Sequence, residues 1–254
     1  MHIVTIATQG EWLQVHARRW LRQVRRNVPG AKCCLILAQG GDAGREDAGA
    51  VALFDRVQTF PLSAATRPWF NYIRMMATTL FGVDEVLYLD ADADVLSDLN
   101  EIPGLSDKRV LWVASPVMHG DWLNVCDAAG WDRPEKTANN CLLYLRGDFG
   151  TEYAEAVEYV AKCGVAVNPR IAGTVAFNVM LHEHPGLGAE LPGEYGAIWW
   201  EGGKWLRAKV LQGCNDAGKE KRERLERLRG AVSDLVGPDG EFTVDGQIYR
   251  AGGW

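Results

Sequence analysis

The chain has 254 residues, of which 47% are hydrophobic and 24% charged, values that exclude disordered and fibrous classes and suit one large domain or two small ones. A formal net charge of -6 argues against a dedicated nucleic-acid binder, because polyanions are met by a basic surface, but it leaves a local basic groove open. The six Cys form no CxxC pair and stand at no zinc-ligand spacing with His, so they read as buried free thiols of a reducing compartment.

Met1 and His2 lead straight into Ile3–Ala7, a short β-branched run that reads as a buried first strand and not as a signal peptide. A turn at Gln9-Gly10 opens a helix over Glu11–Asn27, carried by Leu13, Ala17, Trp20, Leu21 and Val24 and stopped by Pro29-Gly30. Cys33–Ala38 is a second strand, which sends the neighbouring Cys33 and Cys34 to opposite faces. Gln39–Ala50 is a Gly- and Asp-rich loop, and Val57–Phe60 is a weaker strand before Pro61. The spacing of Tyr72, Met75, Met76 and Leu80 predicts a helix over Asn71–Phe81. Val86–Leu89 is a short apolar strand that runs into Asp90-Ala91-Asp92-Ala93-Asp94.

Val110–Ala114 and Leu142–Leu145 are further strands, Thr151–Cys163 is a helix stopped by Gly164, and Thr174–His182 is a short helix. Trp205–Leu211 is a late strand. Asp216–Leu235 is a charged helix with a narrow apolar seam at Leu225, Leu228 and Val232, and Phe242–Tyr249 is a hairpin about Asp245-Gly246, a pair suited to a type I′ turn. Strands alternating with helices indicate an α/β layer fold with a largely parallel sheet. No segment reaches the roughly 18 apolar residues of a membrane span, so the chain is expected to be soluble and cytoplasmic. With no repeat and no linker, the expected division is one domain over 1–215 with a C-terminal helix and hairpin, 216–254, packed on it.

The acidic run carries the chemistry. A strand as apolar as Val86–Leu89 is buried, and its carboxy end opens on the crevice where ligands of α/β sheets bind. Carboxylates at alternate positions repel one another unless a cation or basic groups compensate. Hard oxygen ligands suit Mg2+ or Mn2+, which bridge carboxylates to phosphate oxygens. Three other readings compete. Asp90, Asp92, Asp94, Asp98 and Glu101 fall at positions 1, 3, 5, 9 and 12 of an EF-hand loop, but Val95 holds the place of the turn Gly. An aspartyl phosphatase would use an Asp in an apolar strand with Gly147-Asp148 as a later acidic motif, but its usual Thr or Val is Asp94 here. The third is a solvated acidic turn after a core strand.

With its flanks, Asp84–Leu99 resembles the signature of family 8 glycosyltransferases, an apolar strand followed by Leu-Asp-Ala-Asp, a few apolar residues and Gly-Asp-Leu, with Ser97-Asp98-Leu99 in the last place. That family includes bacterial galactosyl- and glucosyltransferases of surface polysaccharides and glycogenin. The resemblance implies a GT-A-type single domain with a Rossmann-like, mixed but mainly parallel sheet flanked by helices. It implies transfer of a hexose from a nucleotide sugar, UDP-linked, to an acceptor hydroxyl with retention, with Mn2+ or Mg2+ as cofactor and the UDP-sugar as donor substrate. The acceptor, whether glycan, protein or another hydroxyl, is left open.

Residue by residue, it makes Asp90 and Asp92 the metal-binding pair, with Ala91 beside the ribose. Ile6–Trp12 resembles the family's first-strand loop, which implies that Ala7 and Thr8 contact the base and Trp12 stacks on it; core packing is the alternative for Trp12. Tyr72-Ile73-Arg74 resembles an aromatic-x-Arg helix whose Arg74 reaches the diphosphate or braces the aspartates, against the alternative of an ordinary surface Arg. Asn139–Leu145 resembles the Asn-x-Gly strand that lines the donor sugar, with Asn139 kept and Cys141 in the Gly position. Gly173–Asn178 keeps Phe177 and Asn178 of a following helix but lacks its acid and Gln. Gln212 stands where the family has a metal-binding His and can offer a carbonyl oxygen as a third ligand.

Retaining transfer needs no strong protein base, whereas inversion would need one, and Asp121, Asp132 and Glu183 are equal candidates. His182 and His184 read as loop surface. Asp94 either orders the cluster, contacts the sugar, or is solvated. Two other classes stand beside the transferase. A nucleotidyltransferase would carry a Gly-rich basic loop after the first strand, which Gln9-Gly10-Glu11 is not, and a non-catalytic nucleotide-sugar- or metal-binding relative would keep Asp90 and Asp92 without turnover. The basic residues of Lys219–Arg229 offer a contact for anionic lipid or DNA, against a solvated helix with i,i+4 pairs such as Glu223–Arg227.

Overall fold

The apolar runs of the sequence pair into one seven-stranded sheet, order β3-β2-β1-β4-β7-β6-β8. The strands are β1 (His2–Thr8), β2 (Lys32–Gln39), β3 (Arg56–Pro61), β4 (Glu85–Leu89), β6 (Val110–Ser115), β7 (Thr137–Arg146) and β8 (Gly188–Glu190). A computed structural model describes residues 1–8, 10, 12–39, 48–61, 70–115, 119–169, 171–198, 208–212, 241–244 and 247–250. All neighbours in the sheet run parallel except β7, which lies antiparallel between β4 and β6. The mixed, mainly parallel α/β sheet expected from the sequence is therefore present. A small second sheet joins β5 (Asp94–Val95), β10 (Val210–Gln212) and β9 (Ala197–Ile198) in the order β5-β10-β9.

Central parallel strands are covered on both faces, so their side chains build two cores. One face holds Ile3, Leu35, Leu87 and Leu142 against Leu13, Trp20, Leu21 and Val24 of the first helical segment. The other holds Val4, Ile36, Tyr88 and Leu143 against the helices that follow β3 and β6. Cys33 enters the first core and Cys34 the second, as strand alternation requires. Burial pushes the thiols of both up to about 11, which keeps them protonated at neutral pH.

The helix predicted over Glu11–Asn27 is present as a π-helical turn, Trp12–Ala17, continuing into α1 (Arg18–Asn27). The Gly-rich loop over Gln39–Ala50 ends in a short helix, α2 (Ala48–Val51); residues 40–47 lie outside the described residues. The helix predicted over Asn71–Phe81 divides into α3 (Phe70–Met75) and α4 (Ala77–Phe81) at Met76 (φ -92, ψ 4). Helices α5 (Gly120–Ala129), α6 (Gly150–Lys162) and α7 (Ala172–Glu183) complete the layers. Gly164 has φ 74, the left-handed conformation that ends α6 at small cost for glycine. Among the described residues the late strand is β10, which follows Ala208 and Lys209 and begins at Val210; residues 199–207, where the expected strand starts, lie outside the described residues, as does the charged helix over Asp216–Leu235. β11 (Glu241–Val244) and β12 (Gln247–Arg250) pair antiparallel, as the hairpin requires, with the turn residues 245–246 outside the description. Among the described residues no helix is long and apolar enough to cross a membrane.

One buried side chain replaces a strand partner. Asn178 on α7 accepts from the Ala138 amide at 2.8 Å and donates back to its carbonyl at 2.9 Å, closing both backbone groups of β7 there. This contact lets the polar run Thr137–Asn140 belong to a strand that the apolar pattern alone begins at Leu142. Asn178→Ala strands two buried backbone groups, so unfolding in urea should show a loss of about 2–6 kcal/mol, taking 1–3 for each group.

Candidate active site

β1, β4 and β6 end on one edge of the sheet, and the acidic run leaves β4 there. The Asp90 amide donates to the Cys141 carbonyl at 2.9 Å, and the Ala93 amide closes a turn on the Asp90 carbonyl at 3.0 Å. Asp90 Oδ1 accepts from Arg74 Nη2 at 2.8 Å and from the Tyr88 hydroxyl at 2.6 Å. Arg74 also donates through Nη1 to the Asn140 carbonyl at 3.2 Å and lies 4.7 Å from the centroid of the Tyr88 ring. The helix bearing Tyr72-Ile73-Arg74 thus supplies a brace for Asp90. Burial is the largest influence on Arg74 and works against its charge, but Asp90, Tyr88, Cys141 and Tyr153 together outweigh it and hold the guanidinium firmly protonated.

Burial and the negative charges of Asp90 and Asp92 together push the Cys141 thiol well above its usual range, with Arg74 opposing them. Burial does the same to the Tyr88 hydroxyl, where Arg74 opposes and Asp90 and Asp92 add. Both carboxylates therefore act on one small region, and both are partly exposed. Asp94 is different. It is buried, accepts from Gln23 Nε2 at 2.6 Å, and pairs with Arg19 Nε at 3.3 Å. Gln23 Oε1 accepts from the Val95 amide at 3.1 Å, Asn27 donates to the Val95 carbonyl at 2.6 Å, and Arg19 reaches the Asp92 carbonyl at 3.4 Å. The buried face of α1 thus fixes the turn after Asp92, and Asp94 orders the cluster.

On the neighbouring strand, the register between β6 and β7 jumps from Trp112↔Leu143 to Val113↔Asn139. The bulge of Asn140, Cys141 and Leu142 re-aims side chains beside the acidic turn. Asn139 sits at its start, partly exposed, and accepts from the Cys141 amide at 3.1 Å. Two donors in this corner, Arg74 Nε and Asn140 Nδ2, are buried without a hydrogen-bond partner, a costly arrangement that fits a region built for an anion.

The remaining predicted residues fall as follows. Ala7 is buried and Thr8 half-buried at the carboxy end of β1, whose Val4 pairs with Tyr88, so both lie on the edge where Asp90 emerges. Trp12 begins the π-helical turn that follows, and its side chain lies outside the description. Ala91 is buried in the turn between the two aspartates. β10 runs antiparallel to β5 with Leu211 opposite Asp94, which carries the Gln212 backbone one step further toward the acidic turn. Among the described residues no three His, Cys, Asp or Glu side chains converge on a common point. The donor set is two partly exposed carboxylates with one further oxygen donor in sequence at residue 212, and it fits a hard divalent ion shared with a ligand's phosphates, not an all-protein cage.

Two competing readings are excluded by placement. Asp148 caps the start of α6 through the Gly150 amide at 2.6 Å, and it follows Arg146, which pairs with Glu85 at the opposite end of β4 from Asp90. A phosphatase site cannot span that length. Asp98 accepts from the Asn100 amide, and Glu101 is bound by Lys209 and Tyr195, so the EF-hand ligands do not converge. Of the candidate bases, Asp121 accepts from the Asn168 amide at 2.7 Å, while Asp132 and Glu183 are exposed on the helical layer. His182 stacks on Trp131, centroids 4.0 Å apart. Tyr88, Gln23 and Asn27 are the contributors that sequence reasoning missed.

Gly173, where the family's acid is absent, touches α3 closely. A Cβ there would stand 1.7 Å from Asn71 Nδ2, and Tyr153 donates to the Gly173 carbonyl at 3.2 Å. The Asn71 amide therefore fills the space in which a side chain at 173 would begin.

No protein-family model and no curated protein matches the sequence. Solved structures do match. The galactosyltransferase LgtC in complex with donor and acceptor sugar analogues superposes with a TM-score of 0.60 at 14% identity, covering 91% of this chain and 96% of that one. Mouse xyloside xylosyltransferase 1 in its apo form superposes with a TM-score of 0.56 at 15% identity, covering 84% and 96%. The bifunctional glycosyltransferase WbbM superposes with a TM-score of 0.56 at 14% identity, covering 86% of this chain and 46% of that one. At these identities the likeness establishes a shared fold, the GT-A arrangement of a mainly parallel sheet between helical layers.

Proposed function

We propose that the chain is a glycosyltransferase that moves a hexose from a nucleotide sugar, UDP-linked, to an acceptor hydroxyl with retention. The observation that carries the reading is the pair Asp90 and Asp92 at the carboxy end of β4, braced by Arg74, in a fold shared with glycosyltransferases. In this reading residues 1–215 carry the donor site and 216–254 form an appendage. Its proposed setting is the cytoplasm, which suits the unpaired thiols of Cys33, Cys34, Cys126, Cys141 and Cys163.

Asp90 and Asp92, with Gln212 as a third donor, would hold Mn2+ or Mg2+, which when bound supplies positive charge to a leaving nucleoside diphosphate. Arg74 adds its fixed charge from the protein side and keeps Asp90 oriented. Ala7 and Thr8 offer backbone contacts to the base, with Trp12 stacking on it and Ala91 leaving room for the ribose. Asn139 and the bulge behind it line the sugar. Preorganised donors facing developing charge carry most of the rate in this account, so no strong protein base is required.

A second reading, a nucleotide-sugar-binding relative without turnover, is favoured by one observation, the Asn71 amide seated where an acid at 173 would project. UDP release from UDP-glucose and UDP-galactose, with Mn2+ and then with EDTA, separates the two. The transferase releases UDP only with the metal. Metal-dependent stabilisation by UDP without release from any donor would leave the binding relative.

A further inference from the structure

The exposed face of α1 is the part of the molecule that the donor site does not explain. Its buried side packs Trp20, Leu21 and Val24 into the core and holds the acidic turn through Gln23 and Asn27. Its outer side carries Arg18, Arg22, Arg25 and Arg26, all exposed, with no acidic residue among them. Arg18, Arg22 and Arg26 follow at i, i+4 and i+8, so like charges stack along one line and weaken the isolated helix. The helix dipole accounts for cations in the last turn, which covers Arg25 and Arg26 but not Arg18 and Arg22. Among the described residues, Arg18 and Arg22 have neither a hydrogen-bond nor an ion-pair partner.

The same face is flanked by apolar side chains that water does not favour. Val15, one turn before Arg18, is 47% exposed, and Leu53 is 40% exposed. Arg25 Nη2 donates to the Leu53 carbonyl at 2.6 Å, which places Leu53 at the edge of the arginine row. These are two of the three large apolar side chains exposed among the described residues. Arginines in a row with apolar residues beside them match a phospholipid surface, with phosphates for the guanidinium groups and a headgroup region for the apolar tips.

We propose that the outer face of α1 docks on an anionic lipid surface, with Arg18, Arg22, Arg25 and Arg26 on the headgroups and Val15 and Leu53 entering the interface. The net charge of -6 does not forbid this, because charges more than about 8 Å from the contact are screened in physiological salt. Nucleic acid offers the same phosphates but no partner for Val15 and Leu53. The opposite face of α1 grips residues 92–95, so docking would set the orientation of the acidic turn to the bilayer. The inference stands independently of the proposed reaction.

Vesicle sedimentation of the full chain is the test. The chain should bind phosphatidylcholine vesicles that contain about 30% phosphatidylserine, release in high salt, and ignore pure phosphatidylcholine. Arg18→Ala with Arg22→Ala should weaken binding about twenty-fivefold, roughly fivefold for each arginine. Val15→Ser with Leu53→Ser should weaken it several-fold. All four positions are exposed, so the thermal unfolding curves of these variants should overlay that of the parent. Binding that survives the arginine pair or is indifferent to the serine pair would overturn the proposal. Duplex DNA bound as tightly, with the same dependence on Arg18 and Arg22, would overturn it in favour of a nucleic-acid surface.

Discussion

Asp92→Asn should lower metal-dependent UDP release by at least about a hundredfold, the loss seen when one preorganised charge-stabilising group is removed from an active site. The substitution is isosteric, and Asp92 is partly exposed, so the fold has little to lose. The turn is held instead by contacts on either side, the Arg74 and Tyr88 bonds to Asp90 and the α1 bonds to residues 92–95. Asp94→Asn should give the reverse pattern. Its carboxylate is buried and faces Gln23 and Arg19, so stability falls first and any loss of activity follows from a displaced turn. Measuring turnover and urea unfolding on both variants separates a group that acts on the ligand from one that positions its neighbours.

Arg74→Ala should have the largest effect on the protein without ligand. The Arg74 side chain is only 15% exposed, and its guanidinium bonds Asp90 and the Asn140 carbonyl and covers the Tyr88 ring. Breaking a buried pair by removing one member costs about 3–5 kcal/mol. Asp90 keeps 26% exposure and the Tyr88 hydroxyl, so the lower end applies. For a chain of this size that is a fall in melting temperature of about 6–12 °C, from roughly 2–4 °C per kcal/mol. The same variant leaves the two carboxylates unopposed by the guanidinium, which raises affinity for Mn2+ alone while donor binding falls. Calorimetric titration with Mn2+ and then with UDP should show the two changes in opposite directions. Arg74→Lys should recover part of the stability but not donor binding, because one ammonium cannot reproduce the two-armed contact.

The acidic run was legible because two local signals coincide in it, an apolar strand and carboxylates at alternate positions after it. Sheet order followed less directly. β1, β2 and β4 announce themselves as β-branched or leucine-rich runs, whereas β5 and β9 have two residues each and exist only because they pair with β10. α5 escaped notice because Gly120–Ala129 buries only Trp122, Val125 and Cys126, a weak periodic signal, although Gly130 at φ 70 marks its end. The support of the acidic turn was out of reach for a different reason. Gln23 and Asn27 lie about 70 residues from Asp94 and Val95 and read locally as polar positions on an amphipathic helix. Arg74 was singled out only through the family resemblance; nothing in Phe70–Met75 itself distinguishes it from a surface arginine.

The central claim is that Asp90 and Asp92 capture a divalent ion that grips a diphosphate, and the electron paramagnetic resonance of Mn2+ measures it most directly. Titrating Mn2+ into the protein with UDP present should remove the free-ion signal in a one-to-one complex, and the Asp90→Asn/Asp92→Asn double variant should leave that signal as it is with UDP alone. Equal capture of Mn2+ by the double variant, or UDP binding that is as tight in EDTA as in Mn2+, would contradict the account.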